Sequence, residues 1–328
     1  MFRKLLALIS FCGIATAPAA SAQSLKEISF GIISTESSAN LKQNWQPVID
    51  DMSKRTGMKV TAYFAPDYAG IIEAQRFNKV QIAWHGNKSA MEAVDRAGGE
   101  IFAQMIAPDG APGYWSVLVV HKDSPVGSLE DVIKHGKSLS FGNGDPNSTS
   151  GFLVPAYYVF ALNKIDPKTH FKTVRSANHE ANLMAVVNKQ IDVATNNTEN
   201  LDRFKARFPD QYKNIRVIWQ SPLIPADPLV WRKDLPEDVK TKIREFIFAY
   251  GQTGPNAAQE KEILRKITAA GFKESTNRQL IPIRQLELFK DKIKIENDTA
   301  MNAGDKEAKL ADISRKLIEL NNQLAAAK

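Results

Sequence analysis

Three hydroxyl side chains, Ser148, Thr149 and Ser150, stand side by side in the run DPNSTSG. Asp145-Pro146-Asn147 before them is turn chemistry, and the apolar run GFLVPAYYVF after them reads as a helix near 150–163. A helix start leaves several backbone N–H groups without intrahelical partners, and its aligned peptide dipoles favour an anion. Hydroxyls and N–H groups together suit a tetrahedral oxyanion without a formal positive charge, and Gly151 adds no bulk. The run is not a P-loop, because no lysine follows the glycine. The plainer alternative is that Ser148 or Ser150 only caps the helix. Pro155 falls near the second turn, where it costs one backbone hydrogen bond.

Partners for such a site are scattered along the chain. Tyr68 lies in PDYAG, Trp84 and His85 close IAWHGN, and Tyr114 and Trp115 follow GAPG. His179 starts HEANL, Glu199 lies in NNTEN, and Asp227 lies in PLIPADPLVW. Most of these fall at strand ends or loop–helix junctions, where open α/β sheets bind ligands. A hydrolase with Ser148 as nucleophile and His179 as base is a rival reading. It needs a third group to orient the base and a sharp strand–turn–helix elbow, and no G-x-S-x-G is present. The histidines, 85, 121, 135, 170 and 179, show no paired metal spacing. No cofactor motif is found.

The elements that must position these residues alternate. EISFGII reads as a strand, 40–55 as an amphipathic helix, KVTAYFA as a strand, YAGIIEAQRF as a helix capped by Asp67, and QIAWH as a strand. SAMEAVDRAGG is a helix, and IFAQMIA and YWSVLVVH follow as strands. A second series runs from LEDVIKH through SLSFG, KTVRS, HEANLMAVVNKQ, IDVAT and ENLDRFKARF to IRVIWQS. Such alternation predicts an α/β fold in two lobes, with parallel sheets and helices on both faces. The last third is mainly helical, near 236–250 and 255–270. Leu310, Ile313, Leu317, Leu320 and Leu324 repeat at 3-4-3-4 spacing. That is the seam of a coiled-coil homodimer or of a helix lying on its own domain.

The chain's start and its charge bound the compartment and the partners. Arg3 and Lys4 precede an apolar stretch, Leu5 to Ala15, and Ala20-Ser21-Ala22 fits cleavage before Gln23, so 1–22 reads as a signal peptide. The sole cysteine, Cys12, falls within it, which excludes thiol catalysis and cysteine metal sites from the mature chain. Formal net charge is +7 over 328 residues, but the cations are interspersed with acids. Nucleic-acid binding would need a concentrated basic stripe, and none is present.

GIISTES, FAPDYAGIIEA, GYWSVLVV, FGNGDPNSTSGFLVP, DVATNNTENLD, VIWQSPLIP and DPLVWRK resemble the phosphonate-binding periplasmic proteins of ABC import systems. The likeness covers about residues 27 to 290. It implies a type II periplasmic binding protein of two α/β lobes joined by a two-crossing hinge near 119–123 and 220–227. Lobe 1 would be 23–121 plus 224–292, lobe 2 122–223, and 293–328 a helical tail. By the same resemblance, Ser148, Thr149, Ser150, Tyr68 and His179 would hold the phosphonate, Tyr114 would line the cleft, and Glu199 and Asp227 would receive the amine of a 2-aminoethylphosphonate-like ligand. Charge supports that split: two carboxylates would repel a dianion unless a cation lay between, and carboxylate–ammonium hydrogen bonds are strong when desolvated. His85 departs from the aromatic expected there and, lining the cleft, would add a proton-dependent contact near neutral pH. The expected partner is a membrane permease driven by ATP hydrolysis. A binding protein for phosphate, phosphite or a sulfonate is the alternative.

Overall fold

The computed structural model describes residues 25–326, so the expected signal peptide with Cys12 lies outside the described residues. β1 (Glu27–Ile32) buries Ile28, Phe30 and Ile32. α1 (Ser38–Thr56) starts where Ser37 Oγ accepts from Asn40 N at 3.3 Å and stops at Gly57, whose φ of +67° suits glycine. Its buried stripe is Leu41, Trp45, Val48, Ile49 and Met52. β2 (Lys59–Phe64), α2 (Tyr68–Arg76), β3 (Ile82–Trp84), α3 (Asn87–Arg96) and β4 (Gly99–Ile106) complete the first pass through lobe 1. The Asp67 carboxylate caps α2 by accepting from Gly70 N at 2.8 Å.

The chain crosses in β5 (Gly113–Tyr114) and builds lobe 2 from β6 (Ser116–His121), α4 (Leu129–His135), β7 (Ser140–Asn143), α5 (Pro167–His170), β8 (Thr173–Ser176) and α6 (His179–Val187). β9 (Val193–Asn197), α7 (Thr198–Arg207), α8 (Pro209–Tyr212) and β10 (Ile215–Gln220) follow. It returns in β11 (Ile224–Pro225), then forms β12 (Pro228–Arg232), α9 (Glu237–Ala249), α10 (Ala257–Lys266), β13 (Gly271–Glu274), α11 (Ile281–Glu296) and α12 (Ala303–Ala325). One sheet runs β13-β4-β12-β3-β1-β2, the other β10-β6-β9-β7-β8. The two α/β lobes of a type II binding protein are therefore present.

Both sheets are mixed rather than parallel. β12 returns from the hinge and lies antiparallel between β3 and β4, and β6 lies antiparallel to β9 and β10. A strand entering from the cleft runs opposite to strands whose C-terminal ends point at it, so direct insertion gives an antiparallel neighbour without a long crossover. β5 and β11 pair antiparallel as a small ribbon that carries both crossings. A Cβ on Gly113 would stand 1.8 Å from Ile224 O, so only glycine permits that approach. Since β6 pairs in the second sheet, the first crossing precedes the expected 119–123, and YWSVLVVH divides at Trp115 into a hinge strand and a lobe 2 strand.

The tail helix packs on its own chain. Ile313 and Leu320 are buried, and α12 meets α11 through Gln285 to Asn321 at 2.8 Å and the turn before α11 through Arg278 to Gln323 O at 2.9 Å. Among the described residues no helix is long and apolar enough to cross a membrane.

Candidate functional site

The hydroxyl run sits at the end of β7, in the start of a helical segment that is wider than an α-helix. Leu153 N donates to Ser148 O at 3.1 Å, and Val154 N donates to Thr149 O, both five residues apart. The expected α-helix is thus replaced by π-type turns at Thr149–Leu153 and Ala156–Ala161. Pro155 supplies the reason. It has no N–H for Ser150 O or Gly151 O. Those carbonyls accept from elsewhere: Ser150 O from Ser116 Oγ at 2.6 Å, and Gly151 O from Gly144 N at 2.9 Å and Thr195 Oγ1 at 2.7 Å. The proline so releases two carbonyls that bolt the hydroxyl turn to β6, β7 and β9. Gly151 is required for this closeness, because a Cβ there would lie 2.9 Å from Ser148 Oγ and 3.1 Å from Gly144 Cα.

Each hydroxyl already accepts a hydrogen bond. Ser148 Oγ accepts from Gly151 N at 2.9 Å, Thr149 Oγ1 from Lys88 N at 2.8 Å, and Ser150 Oγ from Asn197 Nδ2 at 3.0 Å. A hydroxyl whose acceptor side is engaged by protein keeps its own hydrogen to donate. Lys88 N belongs to the first turn of α3 in the other lobe, so two helix starts converge there. His179 Nε2 lies 3.2 Å from Asn197 Nδ2 and 3.4 Å from Ser148 Oγ, which makes Nε2 the acceptor and Nδ1 the protonated nitrogen. Burial, assisted by the nearby Arg203 charge, lowers the His179 pKa to about 3, so the ring is neutral.

A narrow cavity between the lobes is lined by Tyr68, Tyr114, Ser148, Thr149, Ser150, His179, Glu199 and Asp227. Every sequence-derived ligand residue therefore reaches the same cavity. Tyr68 neighbours Ser148, and burial, then the charges of Asp145 and Asp227, keep its phenol protonated. At the other end, Tyr114 Oη donates to Asp227 Oδ1 at 2.9 Å. Burial, then the charge of Glu199, holds Asp227 well above the carboxylate range. Glu199 retains some exposed surface, and burial of its carboxyl raises it to about 7.

Trp84, Gly86, Ile33, Thr35, Asn197 and Arg203 complete the wall. Trp84 joins the lobe 1 core through Trp45, with ring centroids 5.3 Å apart. Arg203 and Asn197 were not anticipated. The spacing of Glu199 and Arg203, one helical turn apart with the acid first, was the available signal for Arg203. Among the described residues, Thr35 Oγ1, Trp84 Nε1 and His179 Nδ1 are buried without a protein partner. Three such groups in one wall suit a polar occupant.

His85 is not in the cavity. It is fully buried, with Nδ1 3.1 Å from Ser89 Oγ and Nε2 3.2 Å from Gln75 Oε1. Burial lowers it to about 3, so the expected proton-dependent contact near neutral pH is withdrawn. Alternation along β3 turns Trp84 and its neighbour to opposite sides, and only Trp84 meets the cleft.

Residues 30–280 match the family model described as ABC transporter, phosphonate, periplasmic substrate-binding protein. The chain is 55% identical over 312 residues to the phosphonates-binding periplasmic protein of Escherichia coli K12, covering 94% of this chain and 91% of that protein. It is 53% identical to the crystal structure of a binding protein component of an ABC phosphonate transporter from Pseudomonas aeruginosa, with a TM-score of 0.89 over 93% of this chain and 99% of that one. A phosphate-import protein of Mycolicibacterium smegmatis is 27% identical over 66% of this chain and 70% of its own length. A cavity of neutral donors facing paired carboxylates, on this two-lobe scaffold, accords with those matches: the chain belongs to the periplasmic phosphonate-binding proteins of ABC transporters, which are substrate carriers and not enzymes.

Proposed function

We propose that the chain captures 2-aminoethylphosphonate or a close aminoalkyl phosphonate in the interlobe cavity and delivers it to the permease of its transporter. Ser148, Thr149, Ser150, Tyr68 and His179 hold the phosphonate. Glu199 and Asp227 hold the ammonium, and Tyr114 fixes Asp227. The observation that carries this reading is the hydrogen-bond state of the hydroxyl run. Three acceptor sides are taken by Gly151, Lys88 and Asn197, so Thr149 and Ser150 keep O–H donors for an anion, and the Ser148 hydrogen, held only by a long 3.4 Å contact to His179 Nε2, can turn to it as a third. Charge-assisted hydrogen bonds from such donors are short and strong.

Closure follows from where these groups stand. Tyr68 and Asp227 belong to lobe 1, and the hydroxyls, His179 and Glu199 to lobe 2. A ligand touching both favours the closed form by its differential affinity for the two states. Without an ammonium, two carboxylates brought together in a dry cavity oppose closure. The same pair that selects an amine thus holds the empty cleft open. The alternative occupants, phosphate, phosphite or a sulfonate, lack the amine and leave that repulsion in place. Delivery to the periplasm relies on the N-terminal segment being a cleaved signal peptide. For the tail, a homodimer contact would fall on the exposed Ile318 and Leu324 of α12, and a strict monomer at high micromolar concentration in sedimentation would remove it.

The test is a thermal-shift panel on protein unfolded and refolded to strip any bound ligand. Linkage gives about 2.7 kcal/mol of stabilisation at a hundredfold excess over Kd. Aminoethylphosphonate should lead methylphosphonate, phosphate and sulfate. A panel led by phosphate or sulfate would overturn the assignment.

A further inference from the structure

Arg203 is the residue that the ligand contacts do not explain. It lies on α7 one turn after Glu199, in lobe 2, and its side chain reaches across to lobe 1. Arg203 Nε meets Glu36 Oε1 at 2.5 Å, and Nη1 donates to Thr268 Oγ1 at 2.9 Å. Among the described residues this is the one ion pair that joins the lobes. Its side chains are only 10% and 4% exposed, so the pair is dry when the lobes are together. Arg203 also stands between two spaces. It lines the ligand cavity, and it lines a larger open groove with Gln43, Asn44, Asp202, Arg207, Arg265 and Lys266. Glu36 does not line the ligand cavity, although the backbone of Thr35 beside it accepts from Glu180 N across the cleft at 3.3 Å.

We propose that Arg203 and Glu36 form the latch of the closed state, with Arg203 a positioning residue that seals the cavity against the groove and sets how long a phosphonate is retained. The inference rests on the ligand-driven closure proposed above. Opening the cleft must draw the guanidinium off both Glu36 and Thr268 before water can replace them. Breaking a buried, hydrogen-bonded charge pair acts mainly on the dissociation rate. Because Glu36 and Arg203 belong to different lobes, the pair contributes nothing to either lobe when the cleft is open. Its other charged neighbours are the carboxyl groups of Glu199 and Asp202 on its own helix and of Asp227 in lobe 1.

The experiment measures association and dissociation of aminoethylphosphonate and methylphosphonate by stopped-flow tryptophan fluorescence. The proteins are the refolded full chain, Glu36→Gln, Arg203→Gln and the double variant. Glu36→Gln is the cleaner single change, because it keeps shape and lies outside the cavity. The latch predicts that either substitution raises the dissociation rate at least about tenfold, with association within about threefold. The double variant should be no worse than the worse single, the signature of one shared interaction. Both phosphonates should be affected alike by Glu36→Gln, and the ligand-free melting temperature should be unchanged. An unchanged dissociation rate in Glu36→Gln, multiplicative effects in the double variant, or a fall in ligand-free melting temperature that accounts for the loss would each overturn the latch. Those results, with tight binding by the parent chain, leave the functional reading standing. A parent chain that binds neither phosphonate would overturn that reading and the latch together.

Discussion

Replacing Asp227 by Asn removes one negative charge from the amine end and keeps its shape. Asp227 is 5% exposed and accepts the Tyr114 hydroxyl at 2.9 Å, so its carboxylate is fixed and largely desolvated. Removing one partner of a buried hydrogen-bonded charge pair costs about 2–5 kcal/mol. Asn keeps a carbonyl oxygen for Tyr114 and a dipole for the ligand, so the lower part of that range applies, about 2–4 kcal/mol. Aminoethylphosphonate should therefore bind roughly 30- to 1000-fold more weakly. Methylphosphonate offers no cation, and without one burial and the Glu199 charge hold Asp227 well above the carboxylate range, so Asn replaces a group that carries no needed charge and the affinity should hold or rise. Titration calorimetry on refolded protein, at one pH and one salt concentration, reads both affinities. Equal losses for the two ligands would show that Asp227 acts through Tyr114 and the hinge instead of through an ammonium, and would refute the charge argument.

The remaining predictions follow from the same geometry. The closed form raises Glu199 to about 7 against an ordinary 4.5, by burial, and raises Asp227 through burial and the Glu199 charge, so closing the empty cleft takes up protons. Stability of the ligand-free closed state is accordingly greatest at low pH and is lost as pH rises toward about 7. Small-angle scattering of ligand-free protein should show a smaller radius at about pH 5 than at about pH 8, with no such change once aminoethylphosphonate is bound; equal radii without ligand would remove the carboxylate gate. Ser148→Ala should weaken aminoethylphosphonate and methylphosphonate by the same factor, about tenfold or more, because one charge-assisted hydrogen bond at the shared end is worth about 1.5–3 kcal/mol. A selective loss would assign Ser148 to the wrong end. Pro155→Ala restores an N–H that competes for Ser150 O and Gly151 O, and should lower both affinities several-fold while the far-ultraviolet circular dichroism is retained. Unchanged affinities would mean the widened turn has no part in binding.

Much of this protein was legible along the chain because its signals are local. Ser148, Thr149 and Ser150 are contiguous, and the turn before them and the glycine after them read as an anion-binding helix start. Alternating strands and helices in two series implied two α/β lobes, and the quoted motifs implied the family. What stayed hidden depends on approach between segments distant in sequence. Strand direction at β12 and β6 is set by where the chain re-enters a lobe, which no periodicity records. The neutrality of His85 comes from its full burial, with Gln75 and Ser89 as its hydrogen-bond partners, and the seating of α12 on α11 decides how much of its apolar seam is covered. The cross-lobe pairing of Glu36 with Arg203 spans 167 residues. Sequence alone pointed to the side chains proposed to meet a phosphonate and an amine. Tertiary structure decided that they share one cavity, which of them burial pushes toward the neutral form, and that Glu36 pairs with Arg203 across the lobes, because desolvation and charge pairing exist only once the lobes come together.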